Sequence, residues 1–252
     1  MLRVYLSGQM AVESEAHRIV ASDFPGRQGR EAFARCVLGK GMPLSRSELT
    51  AALWAGTPPP AADSALNSIV SKLRRLLDRL GLDGTAVLRS APGSYELALP
   101  ADTWIDHEVA FDAIHRAETE LRAERPREAY GPSAIARRIC ERPFLPGSEA
   151  EWIENRRIKL RRVLVRALEC RSEVYLWNGE HPFAVEAARE ATVLEPFRES
   201  AYRLLMRAHA AAGNTAEALR VYERCRELIA DELGVPPSRE TKRVHAEIIA
   251  EL

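Results

Sequence analysis

The 252-residue sequence predicts a mainly α-helical chain with a small β component, built in two parts. Three observations carry this expectation. Between Arg46 and Tyr95 a short amphipathic segment, a Gly56 and Pro58-Pro59-Pro60 break, a basic amphipathic segment and a hairpin follow one another. From Trp104 onward helical periods take over, broken only by short turns. Within that stretch Trp177-Asn178-Gly179 with Ala184 and Ala188 is echoed by Ala212-Gly213 with Ala218 and Tyr222. The offset is about 34 residues, the tetratricopeptide period. The first observation describes a winged helix-turn-helix domain over residues 1–100. The other two describe an α-helical, tetratricopeptide-like domain over residues 101–252.

Each element has its own local reason. Val4, Leu6, Met10 and Val12 alternate loosely and predict one or two short strands around Gly8, with a further strand over Ile19 to Ser22. Gly26 to Gly29 reads as a loop, and Arg30 to Leu38 has helical spacing through Phe33, Val37 and Leu38. Gly39-Lys40-Gly41 ends that helix. Ser45 is placed to cap the next one, with Glu48 as its capping-box partner. The basic helix is expected to begin at Asp63 or Ser64, either a good N-cap. Its inner stripe is Leu66, Ile69, Val70, Leu73, Leu76 and Leu77; its outer stripe is Asn67 or Ser68, Ser71, Lys72, Arg74 and Arg75. Val87 to Leu99, around Pro92-Gly93, reads as a hairpin. The later turns fall at Pro126, Pro143 to Gly147, Gly179, Pro196, Gly213 and Gly234 to Pro237, and Gly131-Pro132-Ser133 reads as an ordinary turn.

Net charge is zero, from 36 basic and 36 acidic residues, so a nucleic-acid partner has to rest on local charge. Between Arg27 and Arg89 the basic residues Arg27, Arg30, Arg35, Lys40, Arg46, Lys72, Arg74, Arg75, Arg79 and Arg89 outnumber Glu31, Glu48, Asp63, Asp78 and Asp83. Cys36, Cys140, Cys170 and Cys225 are far apart, which argues against a zinc site and suits reduced thiols in a cytoplasm. No apolar run reaches membrane-spanning length, and the start lacks the apolar stretch of a signal peptide.

The whole chain resembles the antibiotic-regulatory-protein (SARP) group of actinobacterial transcriptional activators. In the first half the resemblance is carried by Leu6-Ser7-Gly8, Ser45-Arg46-Ser47-Glu48-Leu49 with Leu53-Trp54, and Ser71-Lys72-Leu73-Arg74-Arg75-Leu76-Leu77. In the second it is carried by Trp104-Ile105-Asp106, Trp152 with Arg156-Arg157, and Glu195-Pro196-Phe197-Arg198-Glu199. Leu205-Met206-Arg207-Ala208, Ala216 to Tyr222 and Glu232 to Ser238 complete it. The resemblance implies an OmpR-type winged helix followed by a bacterial transcriptional activator domain. It also implies a cytoplasmic regulator that binds direct repeats in promoter DNA as a dimer or tandem pair, recruits RNA polymerase or its sigma factor, and serves a biosynthetic or secondary-metabolism operon. No receiver domain is present, so control by aspartate phosphorylation within the chain is not expected.

A helix that reads the major groove needs an apolar back and a front of short polar or long basic residues. The segment from Ser64 to Leu77 has that form, and its resemblance to the OmpR-type helix implies that Asn67, Ser68, Ser71 and Lys72 face base edges while Arg74 and Arg75 reach flanking phosphates or, for one of them, a base. Ser45, Arg46 and Ser47 open the preceding helix, where backbone N–H groups favour a phosphate. Trp54 is equally suited to a backbone contact or to core packing. Arg89 is the candidate for minor-groove insertion, while Arg27 and Arg79 read as plain surface. Ser68 and Ser71 also fit as small neutral surface residues.

Other chemistry finds no support. The six histidines have no ligand spacing, no Gly-x-x-x-x-Gly-Lys-Ser/Thr loop or Gly-x-Ser-x-Gly elbow occurs, and no cofactor, metal or catalytic residue is expected. Asp106-His107-Glu108 reads as a helix start. In the second domain Tyr202, Leu204, Leu205 and Met206 read as core. The stripe Arg156, Arg157, Lys159, Arg161 and Arg162, with Glu149, Glu151 and Glu154 before it, reads as an exposed charged helix end, either a solvated face or part of a surface for RNA polymerase, a dimer mate or a small ligand. The competing function is a tetratricopeptide-like protein-docking adaptor whose winged helix has lost DNA contact; absence of salt-dependent affinity for DNA would distinguish it.

Overall fold

In the computed structural model, which describes residues 1–54 and 57–251, the N-terminal alternation becomes three strands, β1 (Arg3–Tyr5), β2 (Ala11–Glu13) and β3 (Arg18–Val20). Val4 lies opposite Val12, and Val12 opposite Ile19, across antiparallel ladders. All three side chains are buried, which makes their face of the sheet the core side. Next come α1 (Gly26–Leu38), β4 (Leu44–Ser45), α2 (Arg46–Trp54), α3 (Ala62–Arg79) and the short α4 (Gly84–Val87). The wing strands β5 (Leu88–Ala91) and β6 (Ser94–Leu97) follow, and β6 pairs with both β4 and β5. β7 (Trp104–Ile105) returns to lie parallel to β1, so the larger sheet has the order β3-β2-β1-β7.

Compact units interleave along the sequence: the first holds Met1–Val109 and Arg142–Lys159, the second Ala110–Glu141 and the chain from Leu160 onward. The helices that remain are α5 (Asp106–Arg122), α6 (Pro126–Cys140), α7 (Glu151–Trp177), α8 (His181–Leu194), α9 (Glu199–Ala211), α10 (Thr215–Leu233) and α11 (Arg239–Ala250). In the second unit α8 packs on α9, and α9 on α10 and α11. Leu204, Leu205, Met206, Val221, Tyr222, Val244 and Ile248 form one core there, with Ala188 and Ala218 fully buried between helices. Gly179 and Gly213 follow the ends of α7 and α9 with the same φ of 75°, a left-handed conformation that glycine adopts without penalty. The 34-residue echo is thus one turn made twice.

Five sequence expectations are corrected. Gly26 to Gly29 is the first turn of α1 rather than a loop, with Gly29 N–H donating to Pro25 O. α3 starts one residue before Asp63, and Ala61 at its N-cap supplies no side-chain cap; the Asp63 carboxylate is drawn instead to the Arg46 guanidinium at 2.9 Å. Trp104-Ile105 is a strand, too short for its period to show in sequence. Gly131-Pro132-Ser133 lies inside α6, where Pro132 removes one ladder hydrogen bond and the Ser133 hydroxyl donates to Tyr130 O. The stripe on α7 is not merely solvated: Arg157 donates to the carbonyls of Phe144, Leu145 and Ser148 at 2.8–2.9 Å and so holds the Phe144–Ser148 segment. The expected stop at Gly56 lies outside the described residues.

Asp106 joins β1 to the start of α5. Its buried carboxylate accepts from the N–H groups of Leu6, Ser7 and His107, each at 2.8 Å. Burial nevertheless outweighs these donors and pushes its pKa up to about 6. A second joint is Gly84, whose N–H donates to the Asp78 carboxylate. A Cβ built there would stand 2.2 Å from Arg74 O, so glycine is the only residue that lets α4 lie this close to α3.

Two outcomes follow for stability. Asp106→Asn turns a donor toward backbone donors and should lower unfolding free energy by about 1–3 kcal/mol. Because a raised carboxyl pKa favours folding at low pH and loses that contribution as pH rises through about 6, the gap between wild type and the variant should narrow from pH 4 to pH 7; urea denaturation across that range measures it, and a widening gap would contradict the burial. Gly84→Ala should cost about 1–3 kcal/mol by overpacking, against a change within about 0.5 kcal/mol for exposed Thr85→Ala, read from thermal melts.

Candidate nucleic-acid interface

α2 starts as its sequence requires. Ser45 N–H donates to the Glu48 carboxylate at 2.8 Å and Glu48 N–H donates to the Ser45 hydroxyl at 3.1 Å, a closed capping box. The Ser45 donors hold the Glu48 carboxyl below its ordinary pKa. Arg46 N–H donates to Gly93 O in the wing turn. Three amides at this helix start therefore already have acceptors within the protein, which leaves the amide of exposed Ser47 as the available one of the Ser45-Arg46-Ser47 set, its hydroxyl lying 3.0 Å from that of Ser45.

On α3 the stripe of Leu66, Ile69, Val70, Leu73, Leu76 and Leu77 is buried without exception. Ser64, Asn67, Ser68, Ser71, Lys72 and Arg75 are exposed, and Arg74 is half-buried. The spacing 67/68, 71/72 and 74/75 places them along one helical face.

The structure divides the predicted cations into two kinds. The Arg46 fork reaches the Asp63 carboxylate at 2.9 Å, Asn67 Oδ1 at 3.0 Å and the Tyr95 hydroxyl, with its charge 5.4 Å from the Tyr95 ring centre. Hydrogen bonding to Asp63 holds this guanidinium still more firmly protonated than usual. Arg74 donates from Nε and Nη2 to Leu88 O, and from Nη2 to the Ser90 hydroxyl at 2.7 Å. Arg46 thus ties α2 and the wing to α3 at one end, and Arg74 ties the wing to α3 further along. Arg89 is exposed on β5 and donates to Ala86 O. Among the described residues Lys72 and Arg75 have no recorded hydrogen bond or ion pair, so their charges remain available to a partner. Trp54 is half-buried in a cleft shared with Arg27, Gln28, Glu31, Leu53, Glu149 and Ala150, none of them on α3.

Sequence reasoning missed Asp63, Tyr95, Ser90 and Gly84 as parts of this face. Tyr95 is 49 residues from Arg46, and only its alternation with Leu97 on β6 marks it as inward-facing. Elsewhere, burial pushes the thiols of Cys36 and Cys170 up to about 12 and that of Cys225 up to about 11, so these three are protonated packing groups rather than nucleophiles. Among the described residues no helix is long and apolar enough to cross a membrane.

Several resemblance-bearing motifs prove to be joints. Arg198 forms a bidentate pair with Glu169 at 2.8 and 2.7 Å, and Glu199 accepts from the N–H and hydroxyl of Ser238, the N-cap of α11. Trp152 donates its indole N–H to Ala52 O at the end of α2.

The family model described as the bacterial transcriptional activator domain matches residues 105–249. Regulatory protein AfsR of Streptomyces coelicolor is 33% identical over 210 residues, which cover 83% of this chain and 20% of the relative. Transcriptional regulatory protein EmbR of Mycobacterium tuberculosis is 26% identical over 226 residues, covering 87% of this chain and 57% of the relative. This chain therefore spans about a fifth of the first relative and under three fifths of the second. A structure of M. tuberculosis EmbR, solved in complex with a low-affinity phosphopeptide, matches 99% of this chain and 65% of its own with a TM-score of 0.89. At 24% identity that likeness shows the fold. With its winged helix, its tetratricopeptide-like helices and the domain match over residues 105–249, the chain belongs to the bacterial transcriptional activator domain family, in the SARP group.

Proposed function

We propose that this chain binds duplex DNA sequence-specifically and activates transcription, with residues 1–100 as the DNA-binding part and residues 101–252 as the activator part. The observation that carries the reading is the face of α3: short polar side chains and two unpaired cations point outward, over a fully buried apolar back. A helix so held fits the major groove, where each base pair presents its own pattern of donors and acceptors. Ser64, Ser68 and Ser71 are short enough to let the helix approach the bases, and Lys72 and Arg75 reach the phosphates on either side. Ser47 and Arg89 extend the contact to the backbone beyond the helix and to the groove beside the wing. Arg46 and Arg74 act mainly by holding the wing and α2 in place.

The relatives are named as regulatory proteins, which supports transcription control in the cytoplasm rather than catalysis. Direct repeats as the target, a dimer or tandem pair on them, RNA polymerase or its sigma factor as the second partner, and a biosynthetic or secondary-metabolism operon complete the proposal. Stacked helices supply the extended surface that such a protein contact needs.

Binding of the full chain to a fluorescent duplex, followed by anisotropy over a range of KCl concentrations, tests this. Lys72→Ala and Arg75→Ala should each weaken binding and flatten the dependence of log K on log salt by about one unit. Unchanged affinity and slope in both variants would overturn the placement of this face on DNA.

A further inference from the structure

The environment of Asn67 limits what it can read. Arg46 Nη1 donates to Asn67 Oδ1 at 3.0 Å, and the Tyr95 hydroxyl donates to the same oxygen at 3.0 Å. A guanidinium has five donors and no acceptor, so the Asn67 atom facing Arg46 has to be the carbonyl oxygen. Both of its lone pairs are engaged. Asp63 anchors Arg46 from the other side, through Nε and Nη2, and Tyr95 is almost fully buried, at 4% exposure. The clamp is thus built from the protein's interior outward. Asn67 itself is exposed, and among the described residues no partner is recorded for its Nδ2.

Asparagine pairs with adenine by using both halves of its amide: Nδ2 donates to N7 while Oδ1 accepts from N6. Here the accepting half is filled. What remains is a donor-only group, which matches an edge that shows acceptors and no donor. Guanine, with O6 and N7 side by side in the major groove, offers two such acceptors, whereas thymine offers O4 alone beside its methyl group. We propose that Arg46 and Tyr95 hold Asn67 as a donor-only probe, so that it selects guanine and discriminates against adenine at one position of the operator. This rests on the DNA-binding reading and adds to it the identity of one base and the two residues that set it. Tyr95 and Arg46 are positioning residues in this account, and Asn67 is the one that touches the base.

Selection from a random duplex library with the full chain, read by sequencing, tests it in three proteins. Wild type should enrich guanine over adenine by at least about fivefold at one position. Asn67→Asp, which has no donor to offer, should lose that preference at this position while keeping the rest of the site. Tyr95→Phe keeps the ring and releases one lone pair of Oδ1, and should lower the guanine-to-adenine ratio there several-fold without altering other positions. Circular dichroism melts confirm that both variants fold. An enriched site in which the position sensitive to Asn67→Asp is adenine, or in which no position responds, overturns the proposal and leaves DNA binding intact. A wild-type chain that enriches no site and shows no salt-dependent affinity for duplex overturns the DNA-binding reading, and this inference with it.

Discussion

The buried side of α3 sets the rest of the site. Leu66, Ile69, Val70, Leu73, Leu76 and Leu77 all lie inside, and each such side chain contributes about 1.5–3 kcal/mol when fully removed from water. Turning the helix by one residue, about 100°, would lift part of this stripe into solvent and press Lys72 or Asn67 into the core. Burying an unpaired ammonium costs several kcal/mol, so no neighbouring register competes. The outward face is consequently as fixed as the inward one, and only Asn67 and Arg74 among its described polar residues are also held by neighbours in front. Wing and α2 are then referenced to this helix by Arg74, Arg46 and the close approach at Gly84.

That arrangement changes the meaning of the basic residues. A local surplus of arginine suggests an electrostatic footprint, yet much of it acts as internal fastening. Arg46 joins Asp63, Asn67 and Tyr95; Arg74 joins the wing carbonyl of Leu88; Arg157 collects three carbonyls of the Phe144–Ser148 segment; Arg198 locks onto Glu169. Guanidinium suits such joints because its planar fork satisfies several acceptors from one charge. The charge left for a nucleic acid is therefore smaller and more local than the composition implies, concentrated at Lys72 and Arg75 with Arg89 beside the wing. A neutral total is consistent with this, since any attraction for a nucleic acid then has to come from local charge.

Most of what was legible in the sequence was local. The Ser45–Glu48 capping box, the α3 stripe, the Pro92-Gly93 turn and the repeated glycine turn at 179 and 213 are patterns confined to a few residues, and local backbone physics enforces them. The front of α3 was also legible, because the apolar positions define it by exclusion. Features that depend on distant partners were not. β7 exists because Trp104-Ile105 finds an open edge on β1, about one hundred positions earlier in the chain. Arg46 belongs to the clamp only because β6 brings Tyr95 under it. Gly84 looks like an ordinary loop glycine until the carbonyl of Arg74 is placed against it. Pro132 misled for the opposite reason: a local rule favours a break there, and the packing of α6 overrides it.

The central claim is that the exposed face of α3 meets base edges. Placing the photoreactive residue p-benzoylphenylalanine at Ser68, in the middle of that face, and irradiating the full chain on a bound duplex tests it most directly; the same residue at Val193, 72% exposed on α8, serves as the control. A covalent protein–DNA adduct from position 68 and none from position 193 is the predicted result. Duplex that remains bound yet forms no adduct at position 68 would contradict the account.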